Sequence, residues 1–278
     1  MPPKKLLIFL DIDGTLIQLN QRPNSAALPK IIKKLSERGF LFGLNSNRSF
    51  EDVKPIYEKF GLNGPLILEN GTYFKKDLHS KKIFLISNPQ NISHMTEAAV
   101  KSFAESLSPN ATVEFTDTVK IIKQNKRLKK ISQGILANKF RKYSGSVHLF
   151  KYGERDLKTA KKLAGYLRNY FKRNKLELEV EVPKYSDNIV FWPSRCNKGT
   201  ALKKLKSYYN DYSFGMIGDD LADLKTLGHL KYFFAVANAQ PMVQKKADFV
   251  SKKPYTQGVV EILNKFLVDS EFLKVLAK

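Results

Sequence analysis

The residues best placed to do chemistry are two aspartates, in the run Asp11-Ile12-Asp13-Gly14-Thr15 that follows directly on Leu6-Leu7-Ile8-Phe9-Leu10. A short apolar run closed by a turn residue reads as a buried strand. Carboxylates at its C-terminal end stand where parallel α/β sheets place their chemistry. Alternate residues of a strand share a face, so Asp11 and Asp13 start out aimed the same way. Two bare carboxylates about 4 Å apart repel by a few kcal/mol at an effective dielectric of about 20. A cation, a shared proton or solvent must offset that repulsion.

Three further groups recur at expected strand ends or helix starts. Asn45-Ser46-Asn47-Arg48 follows an apolar run over 40–44, Asn197-Lys198-Gly199-Thr200 opens a helical pattern, and Gly218-Asp219-Asp220-Leu221-Ala222-Asp223 follows another apolar run. A hydroxyl and a lysine at helix N-termini suit a phosphate, because free N–H groups and the helix dipole favour anions there. Asp219 and Asp223 are four apart and can share one face of a helix start. With Asp11 they offer hard oxygen ligands for Mg2+. A calcium loop beginning at Asp11 is excluded, since its twelfth position is Arg22 where a bidentate carboxylate is needed. Taken singly, each group has a plain structural reading. Ser46 reads as a helix cap, Lys198 as a solvated side chain, and Asp219, Asp220 and Asp223 as partners of a helix dipole. Four such groups in order at matching positions favour the functional reading.

The elements that must position these groups alternate strand and helix over 1–70: strands at 6–10, 40–44 and 66–68, helices at 26–38 and 49–60. This order predicts a doubly wound, Rossmann-like parallel sheet of the α/β class. The rhythm then changes. Short strands are expected at 73–74, 82–86, 112–115, 146–150, 176–182 and 188–192. Helices are expected at 92–107 and 156–173, and the basic stretch 119–143 is expected to be mostly helical. From Asn197 the first rhythm returns, with helices at 198–209, 220–227, 243–246 and 258–267 and strands at 214–217, 233–236 and 249–250. A last helix is expected over 270–277. The expected organisation is a split core, 1–78 and 194–278, around an inserted α+β cap at 79–193.

At these residues the chain resembles the haloacid dehalogenase superfamily phosphatases of type IIB, the Cof-like group with a cap inserted after the third strand. The turn Glu69-Asn70-Gly71 resembles the point where that group's core runs into its cap. The resemblance implies that Asp11 is a nucleophile forming an aspartyl-phosphate. It implies that Asp13 is the general acid and base, reaching Mg2+ through its backbone carbonyl. Ser46 would hold the transferring phosphoryl group, and Lys198 would orient Asp11 and stabilise developing charge. Gly14, Asn47 and Arg48 complete the phosphate contacts, Asp219 is a metal ligand, and Asp223 is a ligand or supports one. The second group reads Ser46-Asn47-Arg48 where such proteins often carry Thr-Gly-Arg, and Asp220 stands at a variable position. Arg155, Lys184, Tyr185, Ser186 and Asn188 are the cap candidates for substrate recognition. The implied activity is hydrolysis of a small phosphorylated metabolite, a sugar phosphate or a phosphorylated organic acid, with Mg2+. A phosphomutase or phosphotransferase using the same nucleophile is an alternative.

Composition sets outer limits. A chain of 278 residues with 42% hydrophobic residues can build a large core. Its one cysteine, Cys196, excludes an intramolecular disulfide and fits a reducing compartment. No stretch approaches the length of a membrane span. Lys4 and Lys5 before Leu6–Leu10 imitate a secretion signal, but Asp11 and Asp13 interrupt it, and the expected location is the cytoplasm. The net charge of +22 attracts anions generally. Lys120 to Lys142 holds nine Lys or Arg and no Asp or Glu, so a nucleic-acid-binding protein on this fold is the alternative from another class. Few aromatics interleave that stretch, which weakens a base-stacking version. The four histidines show no metal-ligand spacing.

Overall fold

The computed structural model describes residues 5–18, 26–87, 92–108, 110–124, 128–182, 188–268 and 272. These form two compact units, one of Met1–Arg48, Val53–Ile86 and Asn197–Lys278, the other of Ser49–Asp52 and Ser87–Cys196. Among the described residues no helix is long and apolar enough to cross a membrane.

The first unit opens with β1 (Lys5–Leu10), in which Leu6 to Leu10 are all buried. A continuous apolar strand belongs at the centre of a parallel sheet covered on both faces. Next come α1 (Ala27–Glu37), β2 (Leu41–Asn45), α2 (Phe50–Phe60) and β3 (Leu66–Leu68). The α1 residues Leu28, Ile31, Ile32 and Leu35 are buried at helical spacing, which turns one stripe of the helix to the core. After a 3-10 turn at Glu69–Gly71, β4 (Tyr73–Lys75) and β5 (Phe84–Leu85) run antiparallel to their neighbours at the sheet edge. Residues up to Ile86 therefore pack with the first unit, eight beyond the border expected at 78.

The second unit carries α3 (Ile92–Leu107), β6 (Thr112–Thr116), α4 (Thr118–Gln124), β7 (Gly134–Asn138), β8 (Gly145–Lys151), β9 (Glu154–Arg155), α5 (Leu157–Arg173), β10 (Leu178–Glu181) and β11 (Asn188–Pro193). Its sheet runs β10-β11-β8-β7-β6, with β9 beside β8. Helix α5 is capped by Asp156, whose side chain accepts from the Thr159 amide at 2.9 Å. It buries Ala160, Leu163, Ala164, Leu167 and Phe171 against Val147, Ile189 and Phe191. One expectation fails here: 119–143 is not mostly helical. It splits into the end of α4, a 3-10 turn at Leu128–Lys130, β7 and a turn. Gly134-Ile135-Leu136-Ala137 is buried and pairs parallel with β6 and antiparallel with β8. Sheet burial of this apolar tetrad outweighs the helix propensity of the lysines around it.

The chain then re-enters the first unit with α6 (Lys198–Lys206), β12 (Tyr212–Gly218), β13 (Tyr232–Ala235), α7 (Pro241–Lys246), β14 (Phe249–Val250) and α8 (Tyr255–Val268). The sheet order is β14-β13-β12-β1-β2-β3-β4-β5. The strands from β14 to β3 are parallel. The chain winds from β1 outward to β3, then returns on the other side of β1 to β12. The crevice outside β1 and β12 is the switch point where such sheets bind ligands. Helix 220–227 was expected; the segment is instead a turn followed by a 3-10 helix at Asp223–His229. The expected 270–277 helix lies outside the described residues except Phe272.

Candidate active site

The C-terminal ends of β1 and β12 are tied together, the Asp11 amide donating to the Ile217 carbonyl at 3.0 Å. This places Asp11 beside the loop that begins at Asp219. From the start of α6, Lys198 reaches into the same place. Its Nζ donates to Asp11 Oδ1 at 2.5 Å and to Asp223 Oδ1 at 2.6 Å, and all three residues are buried. Carboxylate oxygens of Asp11, Asp219 and Asp223 lie within 4.8 Å of one another. Asp219 Oδ1 accepts from the Thr15 hydroxyl at 2.8 Å. Among the described residues the second oxygens of Asp11 and Asp219 take no hydrogen bond, which leaves them open to a cation. Asp223 is more fully used: its Oδ2 accepts from the amides of Asp219 and Asp220 at 3.0 and 3.1 Å. These bonds also tighten the backbone, with the Thr226 hydroxyl donating to the Asp223 carbonyl at 2.5 Å. That is the local reason for a 3-10 turn rather than an α-helix.

The electrostatics follow from burial. Burial raises the Asp11 carboxyl well above its ordinary value; Lys198 pulls it down, while Asp223 and Asp219 push it further up. Asp219 is pushed up to about 7, first by burial and then by Asp223, against the Thr15 hydrogen bond. Burial alone would lower the Lys198 ammonium, yet Asp11 and Asp223 outweigh it and hold it charged. Three carboxylates, the buried Asp11 and Asp223 and the partly buried Asp219, face one ammonium, so the cluster carries an excess of negative charge that a divalent cation would offset.

Asp13 stands apart from this trio. Its carboxylate is gripped by Arg48, whose Nε donates to Oδ2 at 2.9 Å and whose Nη2 donates to Oδ1 at 2.5 Å. The pair is partly exposed. Ser46, buried at the end of β2, accepts from the Arg48 amide at 3.2 Å through its hydroxyl oxygen. The 3-10 turn after β3 braces this loop. The Glu69 amide donates to the Arg48 carbonyl at 3.1 Å and the Asn70 amide to the Ser46 carbonyl at 3.3 Å. Glu69, Asn70 and Gly71 have φ of 48°, 57° and 80°. Two consecutive non-glycine residues in the left-handed region store strain, as turns beside functional loops often do. Asn47, half-buried in the same loop, completes the group expected at the second motif.

Gly14 has φ +89°, and a Cβ there would run into the Asp219 carboxylate. Its carbonyl accepts from Asn238 Nδ2 at 2.8 Å. Gly14→Ala adds both left-handed strain and this collision. A stability loss of about 1–3 kcal/mol is expected in urea unfolding, together with displacement of Asp219.

Several supporting residues escaped the sequence reading. Thr15 fixes Asp219, though it lies inside the quoted motif. Asn45 donates through Nδ2 to the Lys198 carbonyl at 3.4 Å and has a buried Oδ1 without a hydrogen bond; its place directly after an apolar strand was the available signal. Gln240 donates through Nε2 to Asp220 Oδ2 at 2.9 Å and the Ala222 amide donates to its Oδ1 at 3.2 Å, so Asp220 holds the loop. Thr200 does not present its hydroxyl to a ligand. It forms a capping box with Asn197, whose side chain accepts from the Gly199 and Thr200 amides. Cys196 is buried with its thiol donating to Ser87, and burial raises its pKa, which fits no nucleophilic role. Of the cap candidates, Lys184, Tyr185 and Ser186 lie outside the described residues. Arg155 is on exposed β9, and Asn188 donates to Ser146 Oγ at 3.2 Å.

Residues 8–263 match the haloacid dehalogenase-like hydrolases. The phosphoglycolate phosphatase of Staphylothermus marinus is 25% identical over 266 residues, covering 94% of this chain and 97% of that protein. The mannosyl-3-phosphoglycerate phosphatase of Pyrococcus furiosus is 36% identical over 66 residues, 24% of this chain and 26% of that protein. A solved haloacid dehalogenase-like hydrolase from Bacteroides thetaiotaomicron superposes with a TM-score of 0.71 at 19% identity, covering 95% of this chain and all of that one. With an aspartate trio and lysine at the switch point of a doubly wound sheet, and a match over most of its length, this chain belongs to the haloacid dehalogenase-like hydrolase family, in its phosphatase branch.

Proposed function

We propose that the protein is a Mg2+-dependent phosphomonoester hydrolase that works through an aspartyl-phosphate on Asp11. The observation that carries this is the trio of Asp11, Asp219 and Asp223, two of them buried, around Lys198, with a fourth aspartate, Asp13, held by Arg48. The division gives the carboxylates different work. In the first step an Asp11 oxygen attacks phosphorus, the bond from phosphorus to the ester oxygen breaks, and Asp13 gives that oxygen a proton. In the second, Asp13 takes a proton from water, the water oxygen attacks phosphorus, and inorganic phosphate leaves Asp11. Lys198 fixes the attacking carboxylate and faces the charge that builds on the phosphoryl oxygens. The Ser46 hydroxyl, Asn47 and the loop around Gly14 hold those oxygens.

Donation by Asp13 requires it to leave Arg48, so the ion pair must open when substrate arrives. Arg48 is then released to the phosphate, which it can hold by two parallel N–H bonds.

Asp11, Asp219 and the carbonyl of Asp13 would hold the metal, with Asp223 setting the loop and supporting it. Bound there, Mg2+ supplies charge neutralisation at the phosphoryl oxygens. Metal binding must displace the proton that Asp219 retains up to about pH 7. Mg2+ affinity is therefore expected to fall by up to about tenfold per pH unit below about 7. The sign for folding is opposite. The unfolded carboxyl has a pKa near 3.9, so this group's contribution to metal-free stability declines as pH rises from about 4 to 7 and then levels off. Calorimetric Mg2+ titrations at pH 5.5, 6.5 and 7.5, in buffers of different ionisation enthalpy, check the first expectation; an affinity independent of pH contradicts it.

The substrate class is a small phosphorylated metabolite, and a phosphorylated organic acid is the better choice. The relatives' names, phosphoglycolate and mannosyl-3-phosphoglycerate phosphatase, support this. Phosphate release should be measured over sugar phosphates, nucleotides and phosphoglycolate with Mg2+ and with chelator. Release that needs Mg2+ supports the reading; none with any substrate, or equal release in chelator, opposes it. A nucleic-acid role loses the single cationic helix face expected over 119–143, since β7 interrupts it. Tight RNA binding with a steep salt dependence and no phosphate release is the result that would favour it.

A further inference from the structure

Asn45, the last residue of β2, is fully buried. Its backbone is fixed in the sheet. It pairs with Ile67 of β3, and the Leu44 and Ser46 amides on either side donate to the Pro65 and Ile67 carbonyls, both at 3.0 Å. Its side chain reaches the start of α6, where Nδ2 donates to the Lys198 carbonyl at 3.4 Å. A bond of that length adds little to stability. Among the described residues Oδ1 takes no hydrogen bond, and a buried acceptor left unpaired is destabilising. An apolar side chain would serve this part of the core better, so stability does not account for an asparagine here. Rules of burial are broken in this way chiefly where function requires it.

The start of α6 is confined on two other sides. A Cβ on Gly71 would run into the Asn197 carbonyl, and one on Gly199 into the Lys225 carbonyl. These contacts limit where Lys198 can lie, and Asn45 ties its carbonyl to the end of β2. Ser46, which follows Asn45 directly, holds phosphoryl oxygens in the reading above, while Lys198 Nζ holds Asp11. One asparagine therefore links the two.

We propose that Asn45 is a positioning residue, which sets Lys198, and through it the Asp11 carboxylate, relative to the Ser46 loop. Its effect on turnover rests on the phosphatase reading above; its effect on the place of Lys198 does not.

The test compares the parent with Asn45→Leu and Asn45→Ala. Leucine keeps the branching but is bulkier, so the alanine variant decides the matter where leucine does not fit. Both remove the Nδ2 donor and the unpaired Oδ1. Crystal structures give the separation of Lys198 Nζ from Asp11 Oδ1, urea unfolding shows that the variants are folded, and phosphate release from the substrate turned over fastest in the screen above gives kcat and KM. Nζ is expected to move off Asp11. Misplacing a reacting group by about 1 Å costs up to about a hundredfold, so kcat should fall by about tenfold or more with KM little changed. An asparagine with a merely structural role would lower the unfolding midpoint and leave kcat of the folded protein as it was. Lys198 Nζ still bonded to Asp11 Oδ1 in both variants overturns the proposal, whatever the rates. Displacement of Nζ with unchanged kcat upholds the positioning and faults the role given to Lys198. A parent that cleaves no ester sinks the phosphatase reading, while the variant structures still decide what Asn45 does.

Discussion

Asp11→Asn is expected to abolish turnover, by about four orders of magnitude or more, the scale on which deletion of a covalent nucleophile acts. The amide is close in size to the carboxylate, so the loss is chemical. Its neutral oxygen is a poor nucleophile toward phosphorus and a weak partner for the Lys198 ammonium. Stability moves in the other direction. Asp11 is buried beside Asp223 and Asp219, and burial already disfavours its charged form. Removing one of three carboxylates relieves repulsion that the single lysine does not offset, so the metal-free variant should unfold no earlier than the parent. Phosphate-release rates and unfolding curves on the same preparations separate the two effects. An active Asp11→Asn protein, or one inactive because it is unfolded, defeats this explanation.

Lys198→Met is expected to lose both activity and stability. The methionine keeps much of the volume but leaves Asp11 and Asp223 buried without their cation. Breaking a buried pair by removing one partner costs about 3–5 kcal/mol. The loss should shrink as pH falls toward 5, because protonation of the carboxylates removes the uncompensated charge, and it should shrink again with millimolar Mg2+. A merely structural lysine would show neither form of rescue. Equal losses of stability at pH 5 and pH 8, with and without Mg2+, would show that packing rather than charge explains Lys198.

Much of the site was legible because its residues sit at the ends of central parallel strands. Such strands are continuous apolar runs, and Leu6–Leu10 and Leu66–Leu68 are bounded by residues that cannot be buried cheaply. Helices α1, α3 and α5 announced themselves by apolar residues at a spacing of three and four. The failures have equally local causes. In 119–143 the lysines concealed a four-residue apolar strand whose partners, β6 and β8, lie elsewhere in the sequence. After Asp219 the expected α-helix gave way because the Asp223 carboxylate captures two amides of the preceding turn. Pairing across the sequence was the least legible. Nothing local says that Arg48 grips Asp13, that Asn45 holds the Lys198 carbonyl, or that Asn238 and Gln240 pin the loops around Gly14 and Asp220. Each of these depends on strand order, which a single sequence shows only as an alternation of elements.

In the proposed mechanism phosphate passes through a covalent bond to Asp11. The most direct measurement is acid quenching during turnover of a cleaved substrate, followed by peptide mass spectrometry. One added PO3 group is expected on the peptide containing Asp11, with its fragment ions placing it on Asp11 and not Asp13, and no adduct in Asp11→Asn. Stereochemistry at a chiral phosphate gives the same decision independently: two successive displacements retain configuration. Inversion at phosphorus, with no adduct at any quench time, would rule out the aspartyl-phosphate and leave water as the direct attacking group.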